Sequence, residues 1–243
     1  MKKTLYIFLV ILIFSCSDKN DYNTIEVGYK GALKDMMQKA DITSKTNLSQ
    51  FEGTENLYAL GAIEKLKGEI QIFDGKPINS FHYQGQIKID SSFSKKATLL
   101  VYATVENWIE EVIPSDVTSY TKLETYIKRA AKENGINVKE PFPFLLSGTI
   151  QSLDWHIIDW QEGDMEHTHE KHKTSGPHGT LKNEDVLILG FYSDSHKGIF
   201  THHTTKMHLH MKTISNNLAG HVDNLTLNNG MILKVPAQNE INE

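Results

Sequence analysis

Cysteine is almost absent from this chain of 243 residues, which contains only Cys16. A chain with one cysteine cannot close an internal disulfide, and it cannot build a metal site from several thiolates. Any transition-metal site must therefore use histidine and carboxylate ligands. Both are available, because the sequence has 12 histidines and 30 acidic residues.

Arginine is equally scarce, since Arg129 is the single arginine. It falls on a predicted helix, well away from the apolar stripe of that helix, and is therefore predicted to face solvent. The net charge of -5 and the pI near 6.2 give no basic field of the kind that attracts nucleic acid. We therefore predict no nucleic-acid partner.

The N-terminal apolar run is too short to span a membrane. It covers residues 5–14, follows two lysines and is closed by Cys16, whereas a transmembrane helix needs about 20 apolar residues. This pattern is typical of a bacterial lipoprotein signal, in which the cysteine is acylated and becomes the new N-terminus. An uncleaved signal anchor is the alternative. We predict a signal peptide at 1–16, a tether at 17–26, a domain at 27–243, and attachment to a membrane of the bacterial cell envelope through Cys16.

The most specific pattern is a histidine pair, His208 and His210, followed by His221. Side chains at positions i and i+2 of a strand share a face, so the pair offers two imidazoles to one ion. A turn centred between Ser215 and Asn216 is favoured by the local residues and would place His221 opposite His210. Three imidazoles on a two-stranded ribbon predict an open metal site of the catalytic zinc type. The alternative is an exposed hairpin that binds no metal.

Hydrophobic periodicity predicts a β-rich α+β fold with mostly antiparallel sheets and one main helix. The main helix is predicted over 119–134, where apolar residues recur at helical spacing until Gly135 stops it. A shorter helix is predicted over 27–40. Strands are predicted at 69–73, 81–89, 97–105, 144–160, 186–192, 207–213 and 219–226.

Two blocks of the sequence carry a family resemblance. In residues 56–75, the pair Gly68-Glu69 opens a strand that ends in Asp-Gly. In residues 207–223, the motifs Met-His-Leu-His and Ala-Gly-His-Val-Asp space their histidines as in a known zinc segment. Together the blocks resemble the α-acetolactate decarboxylase family. The resemblance spans roughly residues 27–235 and implies the fold of that family.

The resemblance also implies a reaction. It implies Zn2+ held by His208, His210 and His221, with Glu69 beside the ion as a ligand or an acid. The family substrate is 2-acetolactate, a small hydroxy-keto acid that loses carbon dioxide to give acetoin, with zinc stabilising the enediolate and no organic cofactor. Strand alternation alone leaves Glu69 open to a second interpretation, an exposed carboxylate sharing a face with Gln71.

Two departures from the family pattern bear on activity. The family carries an arginine shortly before a glycine, in a segment that resembles residues 143–148, and this chain has Leu145 there. A lysine would be a poorer clamp for a planar carboxylate. The family also supplies a second glutamate from its C-terminal segment, a role that would fall to Glu240 or Glu243. We therefore expect a decarboxylase with weakened activity or an altered substrate; the alternative is a non-catalytic metal-binding lipoprotein of the same fold.

A second histidine cluster is not explained by the resemblance. Four histidines fall within a predicted loop, namely His167, His169, His172 and His178. Such density predicts either a second metal site or acid-base groups above the first site, with an exposed loop of weak metal affinity as the alternative.

The remaining histidines are predicted to be less important. If the zinc strand begins early, alternation places His202, and not His203, on the face of the histidine pair. His82, His156 and His196 are predicted to be isolated structural or surface residues.

Overall fold

The computed structural model describes residues 25–237. The predicted signal peptide with Cys16, most of the tether, and the C-terminal Glu240 and Glu243 lie outside the described residues. Between residues 25 and 237, no helix combines the length and the apolar character that a membrane crossing requires.

The first sheet has eight antiparallel strands. They are β1 Gly28–Lys30, β2 Thr46–Asn47, β3 Leu57–Ile63, β4 Glu69–Phe73, β5 Lys76–Pro77, β6 Asn79–Tyr83, β7 Gln86–Asp90 and β8 Lys96–Thr104. The main path runs β1-β8-β3-β4-β6-β7, with β2 paired to β8 and β5 paired to β4.

The second sheet has six antiparallel strands. They are β9 Trp108–Val112, β10 Phe142–His156, β11 His178–Tyr192, β12 Met207–Thr213, β13 Ala219–Leu227 and β14 Ile232–Pro236. The order is β11-β12-β13-β10-β14-β9, and β11 also pairs with β10. Four strands, β10 to β13, therefore close on one another, and this closure brings the ends of β10, β12 and β13 together.

The two sheets share an apolar core. One cluster joins Leu60 and Val101 of the first sheet to Leu145, Leu189 and Phe191 of the second. The opposite face of the first sheet is covered by another cluster that includes Leu48 and Ile70. Because β4 is covered on both faces, all five of its residues are buried.

The main helix, α2 Tyr120–Glu133, confirms the helix predicted over 119–134. The Ser119 side chain caps its first turn by accepting a hydrogen bond from the Lys122 amide at 3.4 Å, and Gly135 adopts a left-handed φ of 78° after its end. The buried stripe packs on the second sheet and consists of Leu123, Tyr126, Ile127, Ala130 and Ala131.

Three local predictions were wrong. The helix predicted over 27–40 starts only at Leu33, as α1 Leu33–Lys39, because the preceding residues pair with β8 as β1. The strand predicted over 81–89 is a hairpin, since Gln84 and Gly85 adopt positive φ and turn the chain between β6 and β7. The predicted histidine loop contains a short helix, α3 His169–Thr174, capped by Thr168. The β-rich, antiparallel α+β class was predicted correctly.

Candidate metal centre

The three predicted histidine ligands converge on one face of a hairpin. His210 in β12 lies directly opposite His221 in β13, as the turn centred between Ser215 and Asn216 predicts. His208 shares the face of His210, and the three ring centroids lie 5.0, 5.2 and 5.4 Å apart. Nitrogen atoms of all three residues come within 4.8 Å of one another.

The spacing and protonation of these rings fit a zinc ion. The Nε2 atoms of His208 and His210 are 3.2 Å apart, close to the separation of about 3.3 Å that two nitrogen ligands would have around a tetrahedral zinc with bonds of about 2.0 Å. Burial, followed by neighbouring histidine charge, lowers the pKa of both rings well below the usual value. Both rings are therefore neutral near pH 7, which is the form that binds a metal.

Gln71 fixes the orientation of His210. The His210 Nδ1 atom lies 2.9 Å from the Gln71 Oε1 atom, and the Gln71 amide nitrogen donates to the Ile78 carbonyl at 2.7 Å. With its amide held in this way, Gln71 presents its oxygen as an acceptor for Nδ1–H. The Nε2 atom of His210 is then left as the ligand atom, in the manner of outer partners that orient metal-binding histidines.

Glu69 lies beside the histidines and is buried, with a side chain only 5% exposed. Its Oε2 atom is 3.7 Å from the His210 Nε2 atom, and its Oε1 atom accepts a hydrogen bond from the Ile158 amide at 3.0 Å. Burial raises the pKa of Glu69 to about 7, against the opposing effects of His221 and of the Ile158 amide. A bound dication would shift the pKa downward again.

Two further residues, His156 and Asp223, complete this cluster. His156 closes β10 opposite His221, and its Nδ1 atom lies 3.0 and 2.9 Å from the two carboxylate oxygens of Asp223. The prediction that His156 is isolated was therefore wrong. Asp223 stands two residues after His221, so strand spacing could have identified it. His156 gave no such signal, because its partner is 67 residues away in the sequence.

These residues also form a second group that could hold an ion, since His156, His221 and Asp223 have ligand atoms within 4.8 Å of one another. The two groups share His221. The three-histidine group is the better transition-metal site, because its two residues besides His221 are the neutral imidazoles of His208 and His210, whose Nε2 atoms face each other. In the second group, both carboxylate oxygens of Asp223 already accept a hydrogen bond from His156 and are therefore less available to an ion.

The cluster opens into a cavity of about 400 Å³. Its polar wall includes Glu69, His156, His208, His221 and Asp223, together with hydroxyl, amide and further histidine side chains. The apolar wall is formed by Leu33, Met36, Leu66, Leu99, Phe200 and Met207. A cavity of this size, lined by both apolar side chains and convergent polar groups, is typical of a site for a small molecule.

Histidines from the predicted loop line the same cavity. His169 and His172 of α3 and also His202 face it, and the rings of His169 and His202 are 4.7 Å apart. His203 is not among the cavity-lining residues. His202 lines the cavity although the strand begins only at Met207. The residue was predicted correctly, but strand alternation is not what places it there.

Neither Arg129 nor Leu145 contributes to the cavity. The Arg129 side chain is 60% exposed, as predicted, and faces Glu133 at 3.9 Å. Leu145 is buried in the core between the sheets. Among the described residues that line the cavity, none is lysine or arginine.

His172, which is half-buried in α3, predicts acid sensitivity of the fold. The His172 Nε2 atom lies 2.9 Å from the His167 Nδ1 atom, and burial, with charge on His167, lowers the pKa of His172 to about 3. The unfolded chain protonates this residue at a pKa of about 6.5, so stability falls between these two values by up to about 1.4 kcal/mol per pH unit. Urea unfolding at pH 7, 6 and 5 measures the dependence. His172→Gln should make it shallower, and an unchanged slope would contradict the assignment.

Comparison with known proteins agrees with this fold. The model of the family described as Alpha-acetolactate decarboxylase matches residues 31–241. Alpha-acetolactate decarboxylase from Bacillus subtilis strain 168 superimposes with a TM-score of 0.70 and 15% identity, covering 88% of this chain and 86% of that chain. A Staphylococcus aureus protein of unknown function, described as similar to alpha-acetolactate decarboxylase, superimposes with a TM-score of 0.67 and 13% identity, covering the same shares of the two chains. No curated protein matches.

The structural similarities establish the fold, and the family match extends over most of the sequence. It includes both blocks on which the resemblance was recognised and every residue of the histidine cluster. The chain therefore belongs to the alpha-acetolactate decarboxylase family.

Proposed function

We propose that this protein is a zinc-dependent carboxy-lyase that acts on a small 2-hydroxy-3-oxo acid. The reference substrate is 2-acetolactate, and the products are acetoin and carbon dioxide. The observation that carries the proposal is the convergence of the ligand atoms of His208, His210 and His221 beside the buried Glu69, in a cluster whose His208, His221 and Glu69 line the cavity. Membership of the decarboxylase family supports the same reaction class.

The proposed metal ligands are His208, His210 and His221. A zinc ion held there would supply Lewis acidity toward the hydroxyl and ketone oxygens of the substrate. Three neutral ligands leave the full double positive charge of such an ion in place. The chain itself supplies a rigid frame for the ion, because the ligands lie on paired strands. Gln71 also fixes His210 in the tautomer that carries its proton on Nδ1.

Glu69 is proposed to move the proton that the reaction requires. When the bond between carbon 2 and the carboxyl group breaks, its electron pair passes toward the ketone and carbon dioxide leaves. Carbon 2 must then take up one proton to give the hydroxy ketone. The Glu69 carboxyl is held by the Ile158 amide at the cavity wall, and its Oε2 atom lies 3.7 Å from the His210 Nε2 atom, so it is positioned to deliver that proton.

The composition of the cavity predicts slow turnover. A charge-assisted contact in a dry site commonly contributes about 2 to 4 kcal/mol, a factor of roughly 30 to 1000 in rate. Because no arginine or lysine is among the described cavity-lining residues, the enzyme should be slower than a relative that has such a clamp. The same observation favours the alternative, a non-catalytic metal-binding protein with the histidine-rich cavity as its binding site.

The assay that separates these functions is carbon dioxide release from 2-acetolactate, with and without a chelator. We expect release above the spontaneous background, lost on chelation and restored by zinc. An analogue without the ketone, 2-hydroxy-2-methylbutanoate, serves as the control and should release nothing, because it has no acceptor for the electron pair. Equal rates with and without chelator, or none above background, would favour the binding protein or a different substrate.

We further propose that the protein acts in the bacterial cell envelope, attached to a membrane through lipidated Cys16. The support is the sequence alone, namely the charged and apolar segment that precedes this cysteine.

A further inference from the structure

His202 lines the cavity from the segment between β11 and β12, and neither the proposed metal site nor the proposed proton transfer uses it. The residue is half-buried. Its ring packs against the rings of His169 and His203, whose centroids are 4.7 and 4.0 Å away. The ring is therefore held in place at the cavity wall by contacts that do not involve the proposed metal ligands.

The contacts of the Nδ1 atom determine which ring nitrogen of His202 carries a hydrogen. The Thr204 amide, which can only donate, lies 3.4 Å from Nδ1, and the Thr204 hydroxyl lies 2.8 Å from the same atom. Nδ1 therefore accepts, and the neutral ring carries its hydrogen on Nε2. A doubly protonated ring would carry a hydrogen there as well. The Nε2 atom is thus a donor in either charge state, so its role does not depend on titration.

This Nε2–H group is available to a ligand. No group within residues 25–237 accepts a hydrogen bond from the Nε2 atom of His202, and protein atoms do not enclose it. Since the residue lines the cavity, a molecule bound there can supply the missing acceptor.

The polar groups on the metal side of the cavity are less suited to an anion. His208 and His221 are proposed metal ligands, and Glu69 is the proposed proton donor. Asp223 is an acid whose two oxygens already accept from the Nδ1 atom of His156. With its hydrogen on Nδ1, the neutral His156 ring can only accept at Nε2. This side therefore offers a neutral site few donors for a carboxylate.

The hydroxyl groups of the cavity are already engaged. The Thr205 hydroxyl donates to the Glu124 carboxylate at 2.7 Å, and the Thr204 hydroxyl contacts the Nδ1 atom of His202. The Tyr120 hydroxyl donates to a main-chain carbonyl of β12 at 3.5 Å. That bond is long, so Tyr120 could turn to a ligand only by giving up its present acceptor.

The remaining polar side chains of the cavity are not fixed as donors. The His172 Nε2 atom lies 2.9 Å from a neighbouring histidine nitrogen, and either ring can be the donor of that bond. His169, Thr121 and Asn224 are exposed, so water competes for their donors. A half-buried donor that is set by a contact at the other end of its ring loses less entropy on binding.

The proposed reaction leaves the carboxylate of the substrate without a partner, because the metal is assigned to the hydroxyl and ketone oxygens. A carboxylate in a partly buried cavity needs hydrogen-bond donors, and no lysine or arginine is among the described residues that line this one. We propose that the Nε2–H group of His202 holds the carboxylate, which makes His202 the residue that selects acids. Thr204 is the positioning residue. The inference rests on the proposed function for the identity of the acid.

The test is the binding of a non-reacting acid to the zinc-loaded protein, measured by titration calorimetry. The acid is 2,3-dihydroxy-2-methylbutanoate, in which a hydroxyl replaces the ketone and no acceptor for the electron pair remains. The second probe is 2-methylbutane-2,3-diol, in which a methyl group replaces the carboxylate. The wild-type protein should bind the acid more tightly than the diol.

Two variants separate the donor from the rest of the ring. His202→Asn keeps an acceptor for the Thr204 amide but ends short of the Nε2 position. We expect it to weaken acid binding about 10- to 100-fold while diol binding and zinc content stay unchanged. His202→Gln can place an amide nitrogen near the Nε2 position and should recover part of the loss.

A second measurement checks the tautomer without metal or probe. In the nitrogen NMR spectrum of the isotopically labelled, metal-free protein, the ring signals of His202 are identified by their absence from His202→Asn. They should show a hydrogen on Nε2 and none on Nδ1 in the neutral ring. A neutral ring with its hydrogen on Nδ1 would overturn the proposal.

A matched control lies outside the cavity. His82 is also half-buried, its Nδ1 atom lies 3.1 Å from the Asp159 carboxylate, and it is not among the cavity-lining residues. His82→Asn should leave the binding of both probes unchanged.

The contrary results are distinct. Unchanged acid binding in His202→Asn, equal losses for acid and diol, the same loss in His82→Asn, or a wild-type protein that does not prefer the acid would each overturn the proposal. Loss of zinc from His202→Asn would also overturn it, because His202 would then be a metal ligand. Since the probes do not react, a protein that binds the acid through His202 but releases no carbon dioxide would refute the proposed function and leave this inference standing.

Discussion

Replacing His210 with alanine should remove the metal from the purified protein. His210 is fully buried, and its Nε2 atom faces the Nε2 atom of His208 at 3.2 Å. Two imidazoles without a third ligand hold zinc far less tightly. Since even the loss of an outer partner costs 10- to 100-fold in metal affinity, we expect the loss of a ligand to cost more than about 100-fold. Elemental analysis after dialysis should find about one zinc per wild-type chain and almost none in the variant.

The variant needs a control for folding, because a truncated core residue also leaves Gln71 without its partner. His221→Ala provides one, since the His221 side chain is 23% exposed and its loss disturbs the core less. His169→Ala and His172→Ala remove two cavity histidines that the proposed site does not use. Metal that persists in His210→Ala and His221→Ala but disappears from the other two variants would place the site in the α3 segment.

Glu69→Gln should abolish most of the decarboxylase activity while the metal remains bound. Glutamine has nearly the same shape as glutamate, and its amide oxygen can still accept the hydrogen bond from the Ile158 amide. It cannot donate a proton as an acid does. General acid-base catalysis typically contributes about 10² to 10⁴ in rate, so we expect a fall of that size in kcat.

The control for Glu69→Gln is Glu111→Gln, because Glu111 has a buried carboxylate oxygen but lies in β9, outside the cavity. It should leave the initial rate of carbon dioxide release unchanged. A rate for Glu69→Gln close to that of the wild type would exclude Glu69 as the acid. A simultaneous loss of zinc would instead identify Glu69 as a metal ligand.

The hairpin geometry was predictable because it depends on local sequence. The i, i+2 spacing fixes the shared face of His208 and His210, and a turn equidistant from His210 and His221 fixes the register between them. No long-range information is needed for either inference. The same holds for α2, because its capping serine, its apolar stripe and the glycine that follows it all lie within one short segment of the sequence.

Other parts of the site depend on strand pairing over long distances and could not be predicted locally. His156 joins the site only because β10 pairs with β13. Alternation along β4 left open an exposed position for the Glu69 side chain. Apolar clusters cover both faces of this strand, however, and all of its residues are buried. The α3 helix was missed because its residues were interpreted as a polar loop, whereas Thr168 supplies a helix cap.

The most direct test of the central claim is the rate of carbon dioxide release from 2-acetolactate as zinc is titrated into the metal-free protein. Bound zinc is measured in the same samples. We predict a rate that increases in proportion to the zinc bound and stops increasing at about one ion per chain, as expected for one three-histidine site. A metal-free protein as active as the loaded one, or a fully loaded protein no faster than the spontaneous background, would contradict the claim.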